Sequence, residues 1–429
     1  MNLDLFKEIF FSIINQFNSE ILEKPNQHPI HTLTQMSETS DMSIQLGGDI
    51  TFSKVSEEVE QKIKNKQLSG MELSDLEFDF NEYTPFNDNK YNILVLGSGP
   101  IGLYISILFK TIFPDLEITI FEKRDTNKKR KFDRAQIIKP NLQYRCTNES
   151  LQKLSTFVNY PISDTFKFEE PVLNLLPSAI YTNISKSLSF FSLENRSINL
   201  IEYFLSIEAQ KLGINIVNID IRSEDILKTH TTPNTLSIFN ATGGRLPFFI
   251  PQWTIENPIT RNCNYIISKR DSLIPEKNTS KINNTKTTDT YTLLSDTEFY
   301  HVECDKEQLI DKNQWIKESD NPKTGKFEFS VKGYNKHNIK KIDNIPLISI
   351  GDSFTSTDFT TGSGLQIGCG HSLGCVLLFN KIMKRLGISF TETTPINISK
   401  ESKKMKTRRK KQRKSLTKKS PRKIKSPRV

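Results

Sequence analysis

The sequence has no apolar run approaching the roughly 20 residues that cross a bilayer. Its first residues, Met1 to Ile14, are interrupted by Asp4, Lys7 and Glu8, which excludes a secretory h-region. Cysteine is scarce: only Cys146, Cys263, Cys304, Cys369 and Cys375 occur. None forms a CxxC pair, the number is odd, and Cys369 with Cys375 lacks the further ligands a metal site needs. We therefore expect free thiols, no metal, and a cytoplasmic or nuclear protein. Acidic residues are nearly missing from one end. Lys400 to Val429 holds 16 Lys or Arg and one acidic residue, leaving 43 basic and 48 acidic residues elsewhere. The net charge of +10 is thus a property of a tail on a mildly acidic body. Residues 396–429 read as a disordered basic tail, able to bind nucleic acid or an acidic protein through counterion release. A nuclear localisation signal is a second reading. The tail has no aromatic residue, so base stacking is not expected. Ser420 and Ser426 each precede proline and would gain negative charge if phosphorylated.

What is present suffices for a large soluble core: 429 residues, 36% hydrophobic and 10% aromatic. Residues 1–90 read as an N-terminal helical extension. Leu3, Phe6, Phe10, Ile13, Ile14 and Phe17 recur at helical spacing. The polar face of that helix is not Lys-rich, so we expect it to pack on the body rather than lie on a membrane. Residues 24–50 read as loop, Ser56 to Gln67 as a second helix, and Ser74 to Lys90 as an acidic, turn-rich stretch. Tyr91 to Leu96 is a buried-strand pattern. It is followed by a glycine-rich turn, an apolar helix from Ile101 to about Phe113, and a strand from Leu116 to Phe121. This is a βαβ unit. Farther on, 270–290 reads as a mobile loop, Thr297 to Cys304 and Pro346 to Ile350 as strands, and Leu365 to Leu386 as a helix. The small residues Gly368, Gly370 and Gly374 predict close packing of that helix.

The turn Gly97-Ser98-Gly99-Pro100-Ile101-Gly102 fits G-x-G-x-x-G between a strand and a helix, with Glu122 at the end of the second strand. Gly97 permits the tight turn, Gly99 lets backbone approach a pyrophosphate, and Gly102 allows helix–strand packing. Unpaired N–H groups of the helix N-terminus would face the phosphates. Glu122 would accept from the adenosine ribose hydroxyls. This turn suits NAD or FAD. The choice comes from a second motif some 250 residues later. There a strand runs into Gly351-Asp352, then Gly362-Ser363-Gly364-Leu365 and a helix. Asp352 can meet a ribityl hydroxyl, and the glycine-rich helix start can meet the flavin ring and pyrophosphate edge. A chain that leaves the nucleotide fold and returns in this way points to FAD.

With these residues in view, the chain resembles the group A, p-hydroxybenzoate-hydroxylase-like flavin monooxygenases, and within them the MICAL-type monooxygenase domain. The likeness runs in patches over about residues 91–386. Besides the glycine turn, Glu122-Lys123-Arg124 and Phe132-Asp133-Arg134-Ala135-Gln136 resemble the family's Glu-Lys-Arg and Phe-Ser-Arg…Asn, with Gln136 where the family has Asn. Arg196 to Leu200 resembles a helix whose Arg faces the cofactor phosphates. Asn240-Ala241-Thr242-Gly243-Gly244-Arg245 is similar to the turn beside the adenine end. Phe299-Tyr300-His301-Val302 resembles a family strand. Phe359-Thr360 stands where the family has Trp-Pro.

The resemblance implies an α/β fold: a Rossmann-like FAD-binding lobe (91–160, 190–250 and 340–390) interleaved with a sheet-bearing substrate lobe (161–189 and 251–339), together 91–395. It also implies roles. Arg134 and Arg196 would neutralise phosphate, Lys123 and Arg124 would flank it, and Thr242 and Gly243 would line the adenine end. Gln136 would offer an amide near the flavin, and Phe359 an aromatic wall. The implied activity is an NADPH-dependent monooxygenase working through a flavin C4a-hydroperoxide on a small molecule or, as in the MICAL-like subgroup, a protein. Such cofactors carry the chemistry, so no catalytic triad is sought. We read His371 and His301 as structural. The alternatives are a flavin-binding scaffold without turnover and an FAD oxidase or dehydrogenase.

Overall fold

The computed structural model describes residues 3–23, 77–87, 90–124, 129–131, 134, 137–138, 196–269, 271, 290–294, 298–305, 316–317, 321–357 and 363–387. Expectations for 24–50, Ser56 to Gln67, most of 270–290 and the basic tail lie outside these residues. So do Gln136, Phe359 and Gly362. Among the described residues no helix is long and apolar enough to cross a membrane.

Helix α1 (Leu3–Glu23) opens the chain. The βαβ unit follows as β1 (Asn92–Leu96), α2 (Pro100–Ile112) and β2 (Glu117–Glu122). Then come α3 (Ile198–Lys211), β3 (Asn215–Asn218), the short α4 (Glu224–Lys228) and β4 (Thr235–Asn240). Strands β5 (Thr260–Lys269), β6 (Thr290–Leu294), β7 (Glu298–Cys304) and β8 (Lys323–Ser330) form a separate sheet. The chain returns through β9 (Ile339–Ile342) and β10 (Ile345–Ser349), and α5 (Ser363–Arg385) follows. The acidic stretch before β1, read as turns, contains a short strand, Glu77–Asp79, paired with Lys129–Lys131.

The six-stranded sheet has the order β9-β10-β4-β1-β2-β3. All pairs are parallel except the β9–β10 hairpin. From β3 inward this is the 3-2-1-4 order of a dinucleotide-binding sheet. The strand order, not the strand direction, switches between β1 and β4, the place where such sheets hold ligands. Strands β1 and β4 are buried along their whole length, as expected of parallel strands covered on both faces.

One face of the sheet is covered by α2, α5 and α1 in a single apolar core. Helix α1 does pack on the body. Phe6 and Phe10 meet the Phe379 ring of α5 at centroid distances of 5.0 and 5.3 Å. Each buried aromatic there contributes about 1.5–3 kcal/mol. The small residues of α5 act as expected at two points. A Cβ on Gly374 would lie 2.6 Å from the Phe17 ring, and one on Gly368 would lie 2.8 Å from Ile101. His371 sits between the Phe354 and Phe17 rings, and its Nε2 is 2.8 Å from Asn18 Oδ1. It joins α1 to α5, a structural place. His301 is buried within β7, beside Glu303.

The second sheet is antiparallel, with the order β6-β7-β5-β8. It corrects the expectation of free thiols. Cys263 of β5 and Cys304 of β7 face each other in register, with Cα atoms 3.9 Å apart, and form a disulfide. A separation of 41 residues conceals such a pair until the strands are aligned. Cys369 and Cys375 are free and buried in α5.

Candidate functional site

The site is built where β1, β4 and β10 end. After Leu96 the backbone turns through Gly97 at φ +97°, a region that side chains rarely adopt. A Cβ on Gly97 would lie 2.8 Å from the Ala241 carbonyl oxygen. A Cβ on Gly102 would lie 1.9 Å from the Gly97 oxygen. Both glycines are therefore required by packing, as their places in the motif predict. Gly99 differs. It caps α2 in an ordinary extended conformation, with no side-chain cap, and Pro100 follows at the first helical position. A Cβ there would meet nothing nearer than Arg134 Nη2 at 3.6 Å and Glu202 Oε1 at 3.9 Å. Its lack of a side chain is thus not demanded by the protein's own packing.

Glu122 is buried, and its carboxylate closes the turn. Oε2 accepts from the Ser98 N–H at 2.9 Å and hydroxyl at 2.6 Å, and from Arg124 Nη2 at 3.1 Å. Oε1 accepts from the Arg124 N–H at 2.8 Å. Lys123 points outward and is exposed. Arg134 sits beside Gly99 and forms an ion pair with Glu202 of α3, which is fully buried. Arg124 also approaches Glu202, at 3.5 Å. Two cations and a helix N-terminus thus converge at Gly99, with Glu202 balancing the cations. The backbone of Arg196 lies just ahead of α3, paired with Ile138.

The second motif arrives at the same place. Strand β10 ends in the turn Gly351–Ser353. Gly351 has φ +57°, and a Cβ on it would lie 3.0 Å from Ile101 of the first motif. Two stretches separated by most of the chain thus touch through one isoleucine, which also abuts Gly368 of α5. The Gly243–Gly244 turn after β4 lies alongside. A Cβ on Gly243 would be 3.9 Å from Asp352 Cβ, and one on Gly364 would be 3.5 Å from Asp352 Oδ1. Asp352 remains open to solvent while protein atoms crowd it from several sides. That crowding pushes its pKa above the usual aspartate value; the Arg134 and Arg245 charges pull the other way. A solvent-facing carboxylate within the field of two arginines, with no protein donor among the described residues, is available to accept from a hydroxyl.

Several roles in the site were missed from sequence. Asn240, the last residue of β4, accepts through Oδ1 from the Thr242 hydroxyl at 2.7 Å and N–H at 3.2 Å, and from the Ser353 hydroxyl at 3.4 Å. It ties the turn after β4 to the turn after β10. Ser353 Oγ in turn accepts from the Gly244 N–H at 2.9 Å. The likeness of Asn240–Arg245 to the turn beside the adenine end includes Asn240, but nothing local marks Ser353 or the bond between them. Glu202 did carry a signal: a carboxylate among the apolar residues of α3 must be paired if it is buried. Of the expected residues, Gly97, Gly99, Pro100, Ile101, Gly102, Glu122, Arg124, Arg134, Thr242, Gly243, Asp352 and Gly364 lie on or against the turns that end β1, β2, β4 and β10. Ser363 and Leu365 begin α5 beside them.

No protein-family model matches the chain, and no curated protein matches it. Among solved structures, BrvH, a flavin-dependent halogenase from Brevundimonas sp. BAL3, aligns at 10% identity over 72% of this chain and 74% of that one, with a TM-score of 0.36. The lathipeptide tryptophan 5-halogenase MibH aligns at 12% identity over 66% of each chain, TM-score 0.37. CtdE in complex with FAD aligns at 12% identity over 67% of this chain and 84% of that one, TM-score 0.36. The chain thus spans about two thirds of the MibH length. Likenesses this distant carry no argument about chemistry, and the fold assignment rests on the strand order above.

Proposed function

We propose that this chain is an FAD-dependent oxidoreductase and, within that class, an NADPH-dependent monooxygenase. The observation that supports it most is the meeting of Gly97–Gly102, Gly243 and Asp352 at the reversal point of a 3-2-1-4 sheet. The residues present fit the cofactor. Gly99 offers backbone with space above it, and the uncapped N-terminus of α2 faces that space. In this reading the α2 amides and Arg134 hold the pyrophosphate, with Arg124 and Arg196 adding positive charge. Glu122 shapes the adenosine end, and Thr242 and Gly243 line it. Asp352 accepts from a ribityl hydroxyl, and Gly362, Ser363, Gly364 and Leu365 present the start of α5 to the flavin edge. When bound, FAD supplies two-electron redox chemistry and, once reduced, reactivity toward oxygen; the chain's part is to orient it and exclude water. Gln136 and Phe359 are the residues we assign to the flavin face. The substrate is a small molecule or a protein, and the basic tail tethers a polyanion.

A second reading, a flavin-binding scaffold without turnover, draws on Phe359-Thr360 in the flavin-facing segment and on Glu202, which neutralises both arginines. One experiment separates them. The purified full chain is loaded with FAD, its visible spectrum recorded, and NADPH added under nitrogen and then under oxygen. Bleaching by NADPH followed by return of colour in oxygen supports the enzyme; a yellow protein that NADPH never bleaches favours the scaffold. A chain that takes up no flavin at micromolar concentration refutes both. Labelled oxygen appearing in product rather than only in peroxide distinguishes a monooxygenase from an oxidase.

A further inference from the structure

A second concavity lies beside this crevice, on the segment that follows β4. Gln252, Trp253, Glu256, Lys332 and Lys336 line a cleft of about 440 Å³, with Ile255 and Pro258 at its apolar edge. The site is built rather than incidental, because both walls are pinned. The Gln252 N–H donates to Asn335 Oδ1 at 2.9 Å, the Thr254 N–H to the Tyr334 carbonyl at 2.8 Å, and the Ile255 N–H to the Lys332 carbonyl at 3.2 Å. Asn335, which is buried, donates from Nδ2 to the Ser353 carbonyl at 3.1 Å, so the cleft is anchored to the turn that carries Asp352. The indole edge of Trp253 rests on the glycine turn: a Cβ on Gly244 would lie 3.5 Å from its Cζ2.

The lining has a particular chemistry. Lys332 Nζ leans over the indole at 5.9 Å from the ring centroid, and Lys336 is exposed beside it. Among the described residues neither ammonium forms an ion pair, and Glu256 is the single carboxylate of the lining. The cleft therefore carries a positive balance next to a flat aromatic wall, with an amide from Gln252 and a carboxylate from Glu256 at its rim. We infer that this cleft binds a nucleoside phosphate, with the base stacked on Trp253 and the phosphate between Lys332 and Lys336. Two ammonium groups match a phosphate dianion, as compact point charges do. A flat wall takes a base of either ring size by stacking. The volume falls in the lower part of the range for small-molecule sites, about 300–1,000 Å³, as a mononucleotide requires. The inference does not rest on the flavin reading.

The chain's only tryptophans are Trp253 and Trp315, which supplies the readout. The full-length Trp315→Phe protein, loaded with FAD and desalted so that the crevice at Gly97 is filled, is titrated with AMP, adenosine and inorganic phosphate while tryptophan fluorescence is followed. Saturable quenching by AMP is expected, at least tenfold tighter than for adenosine or phosphate. It should weaken tenfold or more when Lys332→Met and Lys336→Met are added. Lys336 is exposed and Lys332 half-buried, and neither forms an ion pair among the described residues, so the double variant should fold, and its melting temperature checks this. Quenching that never saturates, that survives loss of both lysines, or that phosphate alone reproduces at the same concentration overturns the inference. The absorbance of the same samples near 450 nm reports the flavin reading separately. A yellow protein indifferent to AMP defeats only the cleft, and a colourless one with lysine-dependent AMP binding defeats only the flavin.

Discussion

Two neighbouring glycines of one turn should respond oppositely to the same added methyl group. On Gly102 a Cβ would lie 1.9 Å from the Gly97 oxygen, which is backbone and cannot swing aside. Relief requires α2 to move off β1 by more than 1 Å or the turn to open, on the order of the approach needed for an ordinary contact of about 3.5 Å. Overpacking of this kind costs about 1–3 kcal/mol, and here the upper part of that range applies. Alanine returns up to about 1 kcal/mol through helix propensity, so the net loss for Gly102→Ala should be about 2 kcal/mol. That is a fall of about 2–3 °C in Tm for a unit this large, because the shift per kcal/mol shrinks as the unit grows. On Gly99 the methyl would meet only Arg134 Nη2 at 3.6 Å, an ordinary contact, and φ is −66°. Gly99→Ala should lose only the modest difference between Gly and Ala as helix caps, about 0.5–1 kcal/mol. Yet the methyl occupies the space through which backbone would approach a pyrophosphate. Melts of the flavin-free proteins, with FAD titrations followed by flavin fluorescence, separate the two effects. We expect Gly102→Ala to lose stability and binding together. Gly99→Ala should keep its fold and lose tenfold or more in FAD affinity. Wild-type affinity in a folded Gly99→Ala protein would refute the assignment of this turn to a pyrophosphate, and a fully stable Gly102→Ala would refute the packing argument.

Three further outcomes follow from the same structure. Asp352 has its pKa raised by the crowding around it, so the folded state holds its proton more tightly than the unfolded chain. Its contribution to stability is present below the usual aspartate pKa and is lost as pH rises through the folded value; because the carboxylate faces solvent the effect is small, so Asp352→Asn should melt slightly higher than wild type at pH 7 but not at pH 3, and a variant that melts lower at pH 7 would refute the raised pKa. Glu202→Gln removes the buried carboxylate that Arg134 and Arg124 share, while Arg124 keeps its pair with Glu122. Breaking a buried pair costs about 3–5 kcal/mol, and because the arginines are themselves about a third exposed we expect nearer 1–2 in urea denaturation. FAD should bind that variant more tightly, since Glu202 no longer competes with phosphate for Arg134; weaker binding in a folded variant would count against Arg134 as a phosphate ligand. Finally, reduction of Cys263–Cys304, or Cys304→Ala, opens a 41-residue loop and should lower stability by at most about 4 kcal/mol. A melt indifferent to reductant would show that the thiols are not joined.

The local grammar of the sequence was sufficient for much of the site. Periodicity placed β1, α2 and β2 within a residue or two, because each is decided by side chains a few positions apart. The glycines at 97 and 102 were legible because a tight turn and a close helix–strand approach exclude any Cβ. The packing of α1 was legible from an apolar stripe with no lysine-rich face opposite it. Distance in sequence decided the rest. Cys263 and Cys304 became partners only through the register of β5 and β7. Asn240 and Ser353 became one hydrogen-bonded unit only because β4 and β10 lie side by side. Glu202 found its arginines only when α3 packed next to the turn, and the cleft at Trp253 exists only because 251–255 is pinned to 332–336. A pattern of residues can say which groups a fold must bury or bend. Which of them meet across the sheet is set by strand order and register, and those emerge when the whole chain settles its hydrogen bonds and its apolar surface together.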